Sequence, residues 1–113
     1  MDPENLTPQA FDEIAARFRL LSDSTRLRLL HALRAGEKST GELVQIVGTS
    51  QPNISKHLSL LRQAGFVSRR QEGTSVYYGI TDHSVFELCE VVCGGLEREI
   101  QRRRQALGTP VRS

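Results

Sequence analysis

Thr49–Val67, TSQPNISKHLSLLRQAGFV, runs through Ser68 into Arg69–Ile80, RRQEGTSVYYGI, and the way these two pieces follow each other decides the fold. Thr49 and Ser50 are suited to a helix N-cap, and Pro52 stands in the first turn, where a missing N–H matters little. Ile54, Leu58, Leu61 and Ala64 recur at helical spacing and form a stripe that must face a core. Gln51, Asn53, Ser55, Lys56 and Ser59 are left pointing outward. Short hydrogen-bonding side chains of this kind suit base edges and phosphates in a major groove, which admits one helix. An ordinary solvated helix face has a similar composition, so the helix alone does not decide between the two.

The next residues weigh in favour of the first reading. Gly65 supplies the positive φ that closes a helix, and Phe66-Val67 opens a β-rich run ending at Arg69-Arg70-Gln71. Glu72-Gly73-Thr74-Ser75 reads as a hairpin turn, with Val76, Tyr77, Tyr78 and Ile80 on the returning strand. A helix joined through one glycine to a basic hairpin is a winged helix. Between Ser50 and Gly73, Lys56, Arg62, Arg69 and Arg70 are opposed only by Glu72, so the segment is basic inside a chain of net charge +2. The start of the chain, with Asp2, Glu4, Asp12 and Glu13 before any Lys or Arg, is unsuited to a phosphate backbone.

A chain of 113 residues with 38% hydrophobic content supports one modest core, and a subunit this small often gains stability by dimerising. No apolar run reaches membrane-spanning length, and MDPENLTP lacks the pattern of a signal peptide. The expectation is a cytoplasmic protein with no membrane partner, in which Cys89 and Cys93 are thiols at rest rather than a disulfide.

The flanking elements follow from the same signals. Pro8 to Leu21 reads as a first helix with Phe11, Ile14, Ala15, Phe18 and Leu21 on one face. Ser22-Asp23-Ser24-Thr25 caps a second, from about Thr25 to Ala35, with Leu27, Leu29, Leu30, Ala32 and Leu33 apolar and Gly36 as its stop. Both are expected in the core. Ser39-Thr40-Gly41-Glu42 has capping-box spacing and opens a short helix through Leu43, Val44, Ile46 and Val47, stopped by Gly48. That helix, the Gly-Thr-Ser turn and the longer helix make a helix-turn-helix. Asp82 caps a last helix from about His83 to Gln105. The expected fold is mainly α with a small β-hairpin, with residues 1–107 as one DNA-binding and dimerisation domain and 108–113 as a flexible tail.

This order of elements resembles the ArsR/SmtB family of bacterial repressors over nearly the whole chain. The resemblance rests on Leu21-Ser22-Asp23-Ser24-Thr25-Arg26-Leu27-Arg28-Leu29-Leu30, on Ser50-Gln51-Pro52-Asn53-Ile54-Ser55-Lys56-His57-Leu58, on Leu60-Leu61-Arg62-Gln63-Ala64-Gly65-Phe66-Val67, and on Glu72-Gly73 before Val76-Tyr77-Tyr78. Ser24 departs from the proline usual there, and Thr74-Ser75 stands where many members carry a basic residue, which implies a weaker grip on phosphates. The resemblance implies a homodimer, formed through the first and last helices, that leaves a two-fold-symmetric double-stranded operator when an inducer binds. The expected DNA-facing set is Thr49, Ser50, Gln51, Asn53, Ser55, Lys56 and His57 on the helix, with Arg69, Arg70 and Thr74 on the wing.

Family members often sense a metal ion, but two known ligand sets are missing here. A cysteine box on the third helix aligns with Glu37 to Leu43, where Ser39 and Gly41 replace the thiols. A zinc site of the last helix falls on Asp82, Ser84, Gly95 and Arg98, which leaves only the aspartate, too few ligands for four-coordinate zinc. His31, His57 and His83 are scattered over different helices and read as packing, capping or DNA-proximal residues. Cys89 and Cys93 remain, at i and i+4 on one helix face with Val85, Val92, Leu96 and Ile100. By the resemblance that stripe is the dimer interface, formed by Val85, Cys89, Val92, Leu96 and Ile100. The thiols are then either small buried hydrophobes at the seam or a soft-ligand site for arsenite, antimonite or another thiophilic ion, or for a thiol-oxidising or persulfide signal. No cofactor is fixed by the sequence. Gly94-Gly95, inside the same helix, reads as a close helix crossing, a gap beside the thiols, or a local weak point.

Other functions stay open on narrower grounds. A winged-helix protein-interaction module without DNA binding, or a regulator of this type that senses neither metal nor thiol chemistry, fits the same elements. A thiol enzyme fits poorly, since Glu87 and Glu90 beside an apolar stripe give no activating base or positive niche.

Overall fold

Ile54, Leu58 and Leu61 have no exposed surface, so the helix carrying them is locked in rotation by its own stripe. The computed structural model describes residues 2–108, in two compact units that meet in sequence at Asp82 and His83. The first unit contains α1 (Pro8–Leu21), α2 (Ser24–Ala32), β1 (Lys38–Ser39), α3 (Thr40–Val47), α4 (Gln51–Gln63), β2 (Val67–Glu72) and β3 (Ser75–Ile80). The second contains α5 (Val85–Ala106). No helix among the described residues is long and apolar enough to cross a membrane.

Helix boundaries in the first unit are set by side chains that satisfy orphan backbone groups. Thr7 accepts from the Ala10 N–H at 3.1 Å with Pro8 opening α1, and Asp23 accepts from the Arg26 N–H at 3.0 Å to start α2. That N–H holds the Asp23 carboxyl below its ordinary range. Ser24, in the place where the resemblance expects proline, is the first helical residue of α2. Ser39 and Glu42 form a reciprocal capping box at α3: the Glu42 N–H donates to Ser39 Oγ at 3.1 Å and the Ser39 N–H donates to Glu42 Oε1 at 3.0 Å. Gly48, at φ +79°, ends α3 and turns the chain into α4.

The far end of α4 closes with a Schellman motif. The Phe66 N–H donates to the Leu61 carbonyl at 2.9 Å and the Gly65 N–H to that of Arg62 at 3.0 Å, with Gly65 at φ +84°. The wing follows as an antiparallel pair from Val67 opposite Ile80 to Glu72 opposite Ser75. Gly73 has positive φ and Thr74 does not, the pattern of a type II′ hairpin. Around these elements Leu21, Leu29, Leu30, Leu33, Leu43, Val47, Val67 and Tyr78 complete the buried apolar core of the first unit.

Several expectations need correction. The sheet has three strands in the order β1-β3-β2, because Lys38 and Ser39 pair with Tyr78 and Tyr77 on the outer edge of the hairpin; two residues are too few to show alternation in sequence. Helix α2 stops at Ala32, three residues early, in a turn whose N–H groups fold back on Leu29, Leu30 and His31. Leu27 and Ile46 are exposed despite their helical positions. Phe11 and Phe18 are 57% and 53% exposed, so the apolar face of α1 is largely uncovered and only Leu21 of α1 is buried. In the second unit the N-cap position of α5 is Ser84 rather than Asp82, and α5 runs to Ala106. Residues 109–113 of the expected tail lie outside the described residues.

The capping box yields a test. The Ser39 N–H and hydroxyl hold the Glu42 carboxyl below its usual 4.5, so folding favours the ionised form. That contribution is complete above pH 4.5 and is lost as pH falls through the lower folded value. Glu42→Gln should flatten the acid limb of stability in urea melts between pH 5 and 3, while Ser39→Ala should lower stability at pH 7 by about 1 kcal/mol. An unchanged acid limb would remove the box from the stability of α3.

Candidate nucleic-acid interface

The start of α4 gathers short polar side chains around an uncompensated helix end. Ser50 Oγ accepts from the Asn53 N–H at 3.3 Å, and Asn53 Nδ2 donates to Thr49 Oγ1 at 3.1 Å. Asn53 is thereby pinned, half-buried, with its amide oxygen uncommitted by these two bonds. Gln51, Lys56 and Ser59 are exposed, while Ser55 and Thr49 are half-buried. No acidic residue stands in the first turn of α4, so its partial positive charge faces no carboxylate of its own. Donors, a cation and a helix end of this sign suit phosphates and base edges.

His57 has a partner on another helix. It is half-buried, and its Nδ1 lies 3.0 Å from Arg26 Nη1 on α2. Arg26 also donates from Nε to the Leu20 carbonyl at 2.5 Å. The importance of Arg26 was not legible in the sequence, where it is one more polar residue in the first turn of a core helix.

On the wing Arg69 and Arg70 are both exposed but differ in their partners. Arg70 donates to Glu72 at 2.6 Å and to Glu37 at 3.2 Å and 3.5 Å, and its guanidinium lies 4.8 Å from the centre of the Tyr77 ring. Those carboxylates, Glu72 foremost, push the Arg70 pKa above its already high ordinary value. The partner Glu37 comes from the loop before β1 and escaped the sequence reading because the pairing spans 33 residues. Thr74 is exposed at the hairpin tip.

The residues expected as sensor and seam lie on α5. Cys89 is half-buried and Cys93 is exposed, with Cys93 Sγ 3.9 Å from Glu97 Oε1. Val92 and Leu96 are 66% and 55% exposed, and Ile100 is also exposed. Val85 and Phe86 at the start of α5 are buried. A Cβ on Gly94 would meet the Arg98 guanidinium at 3.5 Å and one on Gly95 would meet it at 3.9 Å. Among the described residues no group of three or more His, Cys, Asp or Glu side chains is placed to hold a metal ion. Ser39, where the resemblance would need a thiol, is committed to the capping box.

Residues 23–69, from the cap of α2 through the recognition helix to the first strand of the wing, match the family described as bacterial regulatory protein, arsR family. A biofilm growth-associated repressor of Xylella fastidiosa is 35% identical over 88 residues, covering 78% of this chain and 76% of that protein. The chain belongs to the ArsR family. A probable mercury resistance operon repressor of Streptomyces lividans is 43% identical over 77 residues, 68% of this chain. The chain spans 62% of that repressor and 55% of the Mycobacterium tuberculosis regulator KmtR, to which it is 39% identical over 71 residues.

Solved structures agree with the ArsR assignment. The M. tuberculosis protein Rv0081 superposes with a TM-score of 0.76 at 32% identity, over 87% of this chain and 98% of that one. A homodimeric winged helix-turn-helix DNA-binding domain of Mycobacterium bovis, described as a possible ArsR-family regulator, gives 0.73 at 25% identity, over 89% and 95%. The family and the relatives described by function are transcriptional regulators, not enzymes.

Because Cys93 is exposed and Cys89 half-buried in a single copy, a maleimide probe on the reduced protein at monomeric dilution should modify Cys93 several-fold faster. Peptide mass spectrometry over a time course would show it. Equal rates would mean that burial along α5 differs from that described.

Proposed function

We propose that this chain is a homodimeric transcriptional repressor that binds a two-fold-symmetric operator with α4 in the major groove. The observation that carries the reading is the α4 N-terminus: Gln51 and Lys56 exposed, Asn53 pinned by Thr49, no carboxylate in the turn, all held on a buried stripe in an ArsR-family chain. Thr49, Ser50, Gln51, Asn53, Ser55 and Lys56 serve the groove, and Arg69 and Thr74 the wing, with residues 1–107 as the working domain. Such a repressor works in the cytoplasm, where the operator is. The uncovered apolar faces of α1, through Phe11 and Phe18, and of α5, through Val92, Leu96 and Ile100, are the surfaces proposed to meet a second copy. The homodimeric M. bovis neighbour supports this assembly.

A second reading concerns the signal. Cys89 and Cys93 lie one helical turn apart on the helix proposed to meet a second copy, so that thiols of both copies could converge on one soft ligand. The proposed inducers are arsenite, antimonite or another thiophilic ion, or a thiol-oxidising or persulfide signal. Operator release by these agents should disappear in Cys89→Ser with Cys93→Ser, at unchanged DNA affinity. A parent protein that ignores all of them returns both thiols to packing.

Gln51→Ala with Asn53→Ala should remove sequence preference and leave weak general binding, since each good base contact is worth about 1–3 kcal/mol. Unchanged discrimination between a selected duplex and scrambled DNA would reject this placement of α4. Arg69→Ala should lower the slope of log affinity against log salt by about 1, and Arg70→Ala, already neutralised by two carboxylates, by clearly less. Leu96→Glu should produce monomers in sedimentation and weaken binding to two half-sites spaced about 34–36 Å apart. A dimer that survives Leu96→Glu would place the seam elsewhere.

A further inference from the structure

We propose that Arg26 is a positioning residue for the recognition helix: it fixes the tautomer of His57 and leaves the His57 Nε2–H as a donor for a DNA phosphate. The inference rests on the repressor reading above and names a residue outside the face already described. A guanidinium has only donors and stays protonated. At 3.0 Å from Arg26 Nη1, His57 Nδ1 therefore accepts, and the ring proton resides on Nε2. Nε2 is the ring nitrogen turned away from that bond, on a residue that follows exposed Lys56 and lies one turn beyond Asn53 on α4. Most contacts that set a protein's register on a duplex go to phosphates, and a neutral imidazole N–H is a suitable donor for one.

The same guanidinium reaches a third helix. Arg26 Nε donates to the Leu20 carbonyl at 2.5 Å in the last turn of α1, while its backbone N–H is held by Asp23 at 3.0 Å. Arg26 therefore cannot turn without releasing either α1 or His57. A shift of the last turn of α1 reaches the recognition helix through one side chain, with no need for the whole core to repack.

The test begins with nitrogen NMR on the free, reduced dimer. His57 should show one tautomer, protonated at Nε2, and Arg26→Ala should replace it by a mixture of tautomers. A parent ring protonated at Nδ1, or already mixed, overturns the proposal. Affinity is then measured against a duplex selected from a random-sequence library, with thermal melting to confirm that each variant is folded. Arg26→Ala and His57→Ala should each weaken binding roughly tenfold, and the double variant should be no weaker than either alone. His57→Gln, which carries an amide donor near the Nε2 position, should recover most of the loss. Additive losses, or no rescue by glutamine, would reduce Arg26 to a packing residue. If the parent prefers no selected duplex over random DNA, the repressor reading fails, and the tautomer on the free protein still decides whether Arg26 sets the ring.

Discussion

The fold depends on the burial of one stripe. Ile54, Leu58 and Leu61 are fully covered, and each such side chain contributes about 1.5–3 kcal/mol relative to exposure. Successive residues of a helix are turned by about 100°, so once three positions on α4 are fixed inward no freedom remains for the others. The outward residues of α4 are therefore placed by the inward ones. A recognition face assembled from Gln51, Asn53 and Lys56 needs that constraint, because short side chains cannot reach across an error in helix rotation.

The cations of the chain are divided between two tasks, which is why its net charge of +2 says little about DNA. Arg17 donates to the Ala64 carbonyl at the end of α4, Arg28 to that of Val47 at the end of α3 at 2.9 Å, and Arg26 to that of Leu20 near the end of α1. In each case a positive side chain meets the carbonyls a helix leaves unsatisfied, where the helix dipole also favours it. Arg70 is held by two carboxylates, and Arg102 and Arg103 pair with Glu99. Lys56 and Arg69 are exposed on the two elements expected to touch DNA. Local basicity is carried by few residues, and most of the other arginines named here hold helices.

How much of this was legible in the sequence depends on the range of the interaction that decides each feature. The stripe of α4, the Ser39-Glu42 box, the Gly65 closure and the Glu72–Ser75 turn are each set by residues no more than five apart from the next, and all appear in the structure where the spacing placed them. Strand β1 was not legible because two residues become a strand only when β3 is beside them. The same holds for the divided roles of Arg69 and Arg70: adjacent and identical in sequence, they separate only because alternate residues of a strand face opposite sides and Glu37 waits on one of them. Helical periodicity also assigned Leu27, Phe11 and Phe18 to a core. It identifies which residues share a face but carries no information on whether this chain or another covers that face.

That last ambiguity bears on function. A chain of 113 residues that leaves Phe11 and Phe18 on one helix and Val92 and Leu96 on another more than half exposed has apolar surface on two separate elements without cover of its own. For a monomer this is a liability. For a repressor reading two half-sites it is a requirement, since the spacing between two recognition helices is set wholly by the surfaces that join the copies. Arg17 and Arg26 connect α1, which bears one of those faces, to the C-terminus of α4 and to His57 within it. The helix proposed to meet the partner and the helix proposed to meet DNA are thus joined by hydrogen bonds at two points. A change at the seam that displaces α1 must either carry α4 with it or break those bonds.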